Sequence, residues 1–213
     1  MKTFIISLAV LISQTAVFAQ SAKFESAMRN NVATMDTAKT AATYQSLANT
    51  FGRIADAERT QWMPYYYSAY CLVTANFITP PDKSKIDAIC DQADLLVKKA
   101  DSLSPDNSEI YCLESMIASN RISVDPMSRG MQYGMASSQF LNNAQKADSA
   151  NPRVFMLMGA SLFYTPEQYG GSKEKAKVLF EKAETLFGSF KPNPDYAPHW
   201  GEDFNKQMLA QSK

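Results

Sequence analysis

Few side chains in this sequence could carry catalysis, and the single histidine limits the choice further. His199 stands beside Trp200 in a proline-rich stretch, and no histidine metal cluster, Ser–His dyad or Cys–His pair can be built without it. A structural role for its imidazole is the favoured interpretation. The pair Gly170-Gly171 precedes a serine and a lysine, but the spacing of a phosphate-binding loop is missing. We therefore expect a non-enzymatic protein with no cofactor and no metal site.

The cysteines Cys71, Cys90 and Cys112 are the other chemically interesting set. If Ala69 faces Ala93 across an antiparallel helix pair, Cys71 and Cys90 lie opposite one another. An oxidising compartment would permit a disulfide between them. The alternative is that both are buried thiols that serve as small apolar core residues. We favour the thiols because a disulfide between helices needs a narrow Cβ geometry.

The composition and the first residues indicate a packed, exported protein. The 213 residues are 46% hydrophobic and 20% charged, which argues against disorder. Residues 1–19 have a basic start, an apolar run too short to span a bilayer and a terminal Ala19, as in a signal peptide. The full chain has 21 basic and 21 acidic residues, and cleavage of this segment would remove one basic residue, Lys2. The mature chain would therefore be close to neutral. We expect a periplasmic or secreted protein with no transmembrane anchor after cleavage and no nucleic-acid partner.

Helical periodicity continues through the rest of the chain, residues 20–213, which we interpret as a single domain. Four antiparallel helix hairpins are predicted over about 22–58, 62–104, 107–149 and 152–188. A proline-rich tail with a capping helix follows over 189–213. Trp200 in this tail is a candidate plug for the apolar side of the last hairpin, since the end of a stack of hairpins needs a cover.

The hairpin over 152–188 has the clearest packing signature. Its first helix carries Phe155 and the small residue Gly159, and its second carries Ala176 and Phe180. The two small residues would let the helices approach closely while the aromatic rings fill the space beside them. This pairing of small and large residues predicts an antiparallel helix pair.

Polar residues and breakers predict where the helices begin. Asn151 precedes a proline and is expected to cap the helix of the last hairpin. Asp106 and Glu109 have the spacing of a capping box for the preceding hairpin. The turn within that hairpin is assigned to Asp125-Pro126 and Gly130, because proline and glycine are frequent in turns.

The spacing large-x-x-aliphatic-small-x-x-large followed by Ala-x-x-x-large recurs in three hairpins over about 62–188 and resembles the tetratricopeptide repeat. More narrowly, the chain is similar to a group of small exported bacterial repeat-like proteins. The similar segments are WMPYYYSAY at 62–70, NPRVFMLMGASLFYTPEQYGG at 151–171 and HWG at 199–201. The first resemblance implies an all-α, right-handed solenoid of antiparallel hairpins, and the second implies export without implying a reaction.

Tetratricopeptide-repeat proteins bind peptides or protein segments on a concave face lined by the first helix of each hairpin. Carried onto this sequence, that face would present Tyr66, Tyr70, Thr74, Met116, Asn120, Met156, Phe163 and Tyr164. We expect a module that binds a protein or peptide partner in the cell envelope, because an aromatic and Met-rich lining suits adaptable recognition. The alternative is an envelope protein that binds a small apolar ligand or lipid in the groove. In either case the chain's own ends could fill part of this face.

Overall fold

The computed structural model describes residues 21–212, and no strand occurs in this part of the chain. The helices are α1 (21–36), α2 (Ala41–Ala57), α3 (Trp62–Ile78), α4 (Lys83–Leu103), α5 (Ser108–Ile122), α6 (Pro126–Ala147), α7 (Pro152–Tyr164), α8 (Lys173–Ser189) and α9 (Glu202–Gln211). A 3-10 turn, Glu167–Tyr169, separates α7 from α8. The all-α class predicted from periodicity is confirmed. The predicted leader lies outside the described residues.

Consecutive helices pack on one another in chain order, with the pairs α2–α3, α3–α4, α5–α6 and α7–α8 in the most extensive contact. The predicted close approach of α7 and α8 is confirmed. A Cβ atom placed on Gly159 would lie 2.8 Å from a ring carbon of Phe180, which is 0% exposed. Since only a hydrogen fits between that backbone and that ring, the glycine sets the spacing of the hairpin.

Side-chain caps fix the starts of α5 and α7, and one predicted cap is wrong. Asn151 accepts a hydrogen bond from the Arg153 N–H at 3.0 Å and caps α7, as predicted. The capping residue of α5 is Asn107, whose side chain accepts from the Glu109 N–H at 2.9 Å. Asp106 instead has a left-handed backbone with φ 55°. The Glu109 carboxylate is therefore not used for capping and is free to pair elsewhere.

The turn before α6 is also shorter than predicted. Asp125 accepts hydrogen bonds from the backbone N–H groups of Met127 and Ser128, so the helix begins at Pro126. Proline suits this first helical position because its missing N–H has no partner there in any case. The assignment of Gly130 to a turn is thus wrong, and this glycine lies within the helix.

An irregular segment between α8 and α9, residues 190–201, which we call the C-terminal strap, returns to the start of the described chain. The Tyr67 hydroxyl of α3 donates to the Tyr196 carbonyl at 2.7 Å. Asp195 accepts from Arg29 of α1 at 2.9 Å. After the strap, α9 packs on α8, where the Asn205 amide donates to the Phe180 carbonyl at 3.0 Å. The strap and α9 together close the stack of hairpins.

Candidate functional site

Part of the face that the sequence predicts to bind a partner lies against the C-terminal strap. The Trp200 indole N–H donates to the Tyr66 hydroxyl oxygen at 2.8 Å. The Trp200 ring also lies 4.8 Å from the Tyr70 ring between centroids. Tyr66 and Tyr70 are 0% and 6% exposed, and burial raises the pKa of both phenols well above the ordinary value. Both are neutral packing residues whose contacts on this face come from the chain itself.

A buried ion pair ties this strap to the starts of two helices. The Arg153 Nε donates to both Glu109 carboxylate oxygens, at 2.7 and 2.8 Å, and Nη2 lies 2.6 Å from Oε1. The Arg153 Nη1 donates to the Trp200 carbonyl at 3.4 Å, and the guanidinium lies 4.5 Å from the centroid of the Phe190 ring. Burial lowers the pKa of Arg153, but Glu109 more than offsets this, so the pKa stays above its ordinary value. The pair is charged and holds α5, α7 and the strap together.

Sequence reasoning missed this pair, although a signal for it exists. Glu109 and Arg153 are 44 residues apart, and the small residues Ser115 and Gly159 at the close-approach position have the same separation. The two charges therefore occupy equivalent positions on the first helices of successive hairpins. Opposite charges at equivalent positions of a repeat can meet when the hairpins stack.

The other predicted groove residues are divided between core and surface. Met116, Asn120 and Met156 are 8%, 3% and 1% exposed, and Thr74 is half-buried. Phe163 is half-buried, whereas Tyr164 is 66% exposed. Of the eight predicted residues, those at the end of α7 are thus the most accessible.

The disulfide considered between Cys71 and Cys90 is not formed. All three cysteines are free, buried thiols, and burial raises the pKa of Cys90 to about 11. The Cys90 Sγ lies 3.9 Å from the Ile117 carbonyl oxygen of α5. The Cys90 side chain therefore contacts the next hairpin, and its role as a core thiol stays a prediction.

A recess between α1 and the C-terminal strap contains the single histidine. Its volume is about 280 Å³, and its lining consists of Arg29, Val32, Ala33, Asp36, Asp195, Tyr196 and His199. The His199 Nδ1 lies 2.8 Å from the Ala197 carbonyl oxygen, and Nε2 lies 3.1 Å from the Asp36 carboxylate. The seven lining residues include no serine, threonine or cysteine. They do include two carboxylates, and one of these already binds the single guanidinium, so the recess disfavours an anionic ligand.

A second accessible feature is the turn between α7 and α8, residues 163–173, which we call the aromatic turn. The Ser172 N–H donates to the Leu162 carbonyl at 3.0 Å, which closes the loop at its base. Gly170 has a φ of 92°, and a Cβ on Gly171 would lie 1.7 Å from the Thr165 carbonyl oxygen. Both positions require glycine, because a side chain would strain the backbone or collide with it. The loop therefore has a defined shape.

The aromatic turn presents rings, one cation and one carboxylate, that of Glu167, to solvent. Tyr164 and Tyr169 are 66% and 64% exposed. The Lys173 ammonium lies 5.3 Å from the centroid of the Phe163 ring. The Tyr164 hydroxyl lies 3.4 Å from the Met208 Sδ of α9. Exposed rings beside an ammonium group suit a flat, largely apolar ligand with a negative charge at its edge.

The described residues offer no prebuilt metal centre. No group of three or more His, Cys, Asp or Glu side chains in 21–212 is arranged to hold a metal ion. Within the same residues, no helix combines the length and the apolar character that crossing a membrane requires.

Comparison with known proteins supplies a relative. No family model matches the sequence, and no curated protein matches it. Among solved structures, the chain is similar to the HusA haemophore from Porphyromonas gingivalis, with 41% sequence identity and a TM-score of 0.82. The match covers 89% of this chain and 92% of the haemophore. The resemblance to the tetratricopeptide repeat, beyond its helical class, stays a prediction.

The identity and the coverage of this match are high enough to assign the chain to a family. The chain belongs to the same family as the HusA haemophore. That relative is named for binding and not for catalysis, which supports a non-enzymatic binding role for this chain.

Proposed function

We propose that this chain is an exported haem-binding protein that carries the porphyrin without transforming it. The observation behind this proposal is the 41% identity to a haemophore over 92% of that protein. At this identity the two chains share a fold, although a shared fold by itself would not carry a function. Export is supported by the leader predicted at residues 1–19. Haem is cargo in this proposal, which is compatible with the expectation of no catalytic cofactor.

Of the two ligand classes predicted from the sequence, a small apolar ligand is better supported than a peptide. A peptide on the concave face would have to displace Trp200 from Tyr66 and Tyr70. That displacement would also disturb the contacts of Arg153 with the strap. Exposing an aromatic surface of this kind costs free energy in proportion to its apolar area. The peptide would need to recover that free energy before it bound at all.

We place the haem at the aromatic turn. Haem is a flat apolar macrocycle with two carboxylates at one edge, so it needs aromatic surface and a nearby cation. Tyr164 and Tyr169 offer exposed rings. The Lys173 ammonium lies over the Phe163 ring, so it could pair with a propionate of a haem that contacts these rings. The recess at His199 is the competing location. Its two carboxylates and its small volume, about 280 Å³ at the lower end of ligand pockets, make it the poorer fit for a dianionic macrocycle.

One side chain at this turn, Tyr164, could also ligate the iron, because a phenolate group acts as a haem ligand in proteins. The Met208 Sδ lies 3.4 Å from the Tyr164 hydroxyl but belongs to the core, since Met208 is 1% exposed. Replacing Tyr164 by phenylalanine keeps the ring and removes the oxygen. This substitution therefore separates stacking from ligation.

Titration of the mature chain with haemin, followed by Soret absorbance and tryptophan fluorescence, tests the proposal. Stacked rings contribute about 0.5–1.5 kcal/mol each beyond their area, so the double change Tyr164→Ala/Tyr169→Ala should weaken binding by about tenfold to a hundredfold. Lys173→Gln should weaken it by a few fold, and more at low ionic strength. The matched control is His199→Ala, which should leave the affinity unchanged.

Three outcomes would contradict the proposal in different ways. No saturable Soret change in the wild type would remove haem as the ligand. A normal affinity in the Tyr164→Ala/Tyr169→Ala variant would remove the aromatic turn as the site. Loss of the Soret signature in His199→Ala alone would move the site to the recess.

A further inference from the structure

The single histidine joins the C-terminal strap to α1. His199 belongs to the strap, and its ring lies against Asp36, the last residue of α1, 163 residues earlier in the chain. The Nδ1 atom is 2.8 Å from the Ala197 carbonyl oxygen, and the Nε2 atom is 3.1 Å from the Asp36 carboxylate. The side chains of His199 and Asp36 are 27% and 42% exposed, so the contact can exchange protons with solvent.

Both ring nitrogens of His199 face oxygen atoms that can only accept hydrogen bonds. A backbone carbonyl has no proton to donate, and neither has an ionised carboxylate. A neutral imidazole has one N–H and one lone pair, so it satisfies one of the two oxygens and turns its lone pair towards the other. The imidazolium cation has an N–H on each nitrogen and satisfies both. The geometry of this contact therefore favours the protonated ring.

Other ionisable groups surround this contact from α1, α2, α3 and the strap. The Arg29 Nε of α1 donates to both Asp195 carboxylate oxygens of the strap, at 2.9 Å each, and Nη1 donates to Glu25 at 3.1 Å. A guanidinium stays charged throughout the range in which histidine titrates. The neighbouring phenols stay neutral, since burial raises the pKa of each of them, namely Tyr44, Tyr67 and Tyr196. Among these kinds of group, histidine is the one that ordinarily changes charge between about pH 5 and about pH 8.

We propose that His199 and Asp36 form a proton-dependent latch that holds α1 on the C-terminal strap. Both hydrogen bonds of the ring exist when it is protonated, so α1 is held more firmly in acid. As the pH rises and the ring becomes neutral, one of the two hydrogen bonds is lost and α1 loosens. The pair of Arg29 and Asp195 also joins α1 to the strap and does not respond to this change. The latch therefore adjusts the attachment of α1 without releasing the helix.

Loosening α1 opens the recess that the latch closes. The strap stays in place on the other side, because Tyr67 donates to its Tyr196 carbonyl and Arg153 to its Trp200 carbonyl. The Tyr196 ring, which lines the recess, is packed edge-on against the Phe24 ring of α1, with 6.1 Å between centroids. Opening therefore uncovers aromatic surface as the pH rises, and acid covers it again. This inference concerns the haem-free protein and does not depend on the proposed ligand.

Hydrogen exchange of haem-free mature protein, followed by mass spectrometry at about pH 5.5 and about pH 8, tests the proposal. The parent protein carries Glu114→Gln, because burial raises the pKa of that carboxyl to about 7 and it would titrate in the same range. Protection factors remove the intrinsic pH dependence of exchange. Those of α1 should fall by about two- to fivefold between the two pH values, the effect expected of a partly exposed ion pair. Those of α8 should not change.

Three variants of this parent separate the proton-dependent contact from its surroundings. His199→Gln and Asp36→Asn should each abolish the difference between the two pH values, with α1 exchanging at both as the parent does at the higher pH. The matched control is Arg29→Gln, which weakens the second attachment. It should lower the protection of α1 at both pH values and keep the difference between them, because a guanidinium does not titrate in this range.

Equal protection of α1 at the two pH values in the parent would overturn the proposal. So would a difference that survives in both His199→Gln and Asp36→Asn, because the proton would then act at another group. A fall in α8 as large as that in α1 would also overturn it, since the whole fold rather than the latch would then respond to pH.

Discussion

Replacing Glu109 by glutamine would test how the C-terminal strap is held. The substitution keeps the size of the side chain but leaves the Arg153 guanidinium, which is 0% exposed, without its counter-charge. Breaking one partner of a buried ion pair costs about 3–5 kcal/mol. At about 2–4 °C per kcal/mol for a domain of this size, the melting temperature should fall by roughly 6–20 °C.

Chemical denaturation of four proteins gives the coupling between the two side chains. These are the wild type, Glu109→Gln, Arg153→Met and the double variant. The double variant should lose less stability than the sum of the single losses, because Arg153→Met removes the charge that Glu109→Gln leaves unpaired. Trp200 should report release of the strap, since its carbonyl accepts from Arg153 and its indole N–H donates to Tyr66.

Additive single effects, or single losses below about 1 kcal/mol, would refute this reasoning. The control is the exposed pair of Glu202 and Lys206 on α9, whose side chains are 48% and 52% exposed. Glu202→Gln should leave the denaturation midpoint essentially unchanged, because exposed pairs are well screened by solvent.

Three further predictions concern packing, pH and thiol chemistry. Gly159→Ala should destabilise the protein by about 1–3 kcal/mol in urea denaturation, because the new methyl group meets the buried Phe180 ring at 2.8 Å. Burial, reinforced by neighbouring aspartates, raises the pKa of Glu114 to about 7, so the folded state should lose stability as pH rises from about 4.5 to 7. After allowance for partial solvent exposure, Glu114→Gln should raise the free energy of unfolding by about 1–2 kcal/mol at pH 8, with little effect at pH 4.5. Alkylation after denaturation, followed by mass determination, should label all three cysteines equally with and without reductant.

Each of these has a defined contrary result. A Gly159→Ala variant that gains stability, as Gly188→Ala should, would mean that the α7–α8 spacing is not set by that glycine. A pH-independent effect of Glu114→Gln would mean that the carboxyl titrates at the same pH in the folded and unfolded chain. One labelled cysteine without reductant and three with it would show a disulfide.

Features that arise within one helix, or between two consecutive helices, could be predicted from the sequence. Gly159 and Phe180 were identified by spacing alone, because a small residue opposite a large one is a local requirement of two packed helices. The Asn151 cap was identified because capping depends on residues two or three positions apart. At the start of α5, both Asp106 and Asn107 have side chains that can cap a helix, and the predicted cap, Asp106, is wrong. The periodic pattern of the helix is the same whichever of the two residues caps it.

The sequence by itself determined the helical class, the hairpin that begins after Asn151 and the scarcity of catalytic groups. The tertiary structure decided how much of the predicted binding face is accessible, because the strap joins residues far apart in the chain. Trp200 and Tyr66 are 134 residues apart, and Tyr67 and Tyr196 are 129 residues apart. Such contacts have no helical period, so periodicity does not reveal them. Packing likewise brought the Cys90 sulfur to within 3.9 Å of the Ile117 carbonyl oxygen of α5, since a thiol's neighbours depend on the rotation of its whole helix.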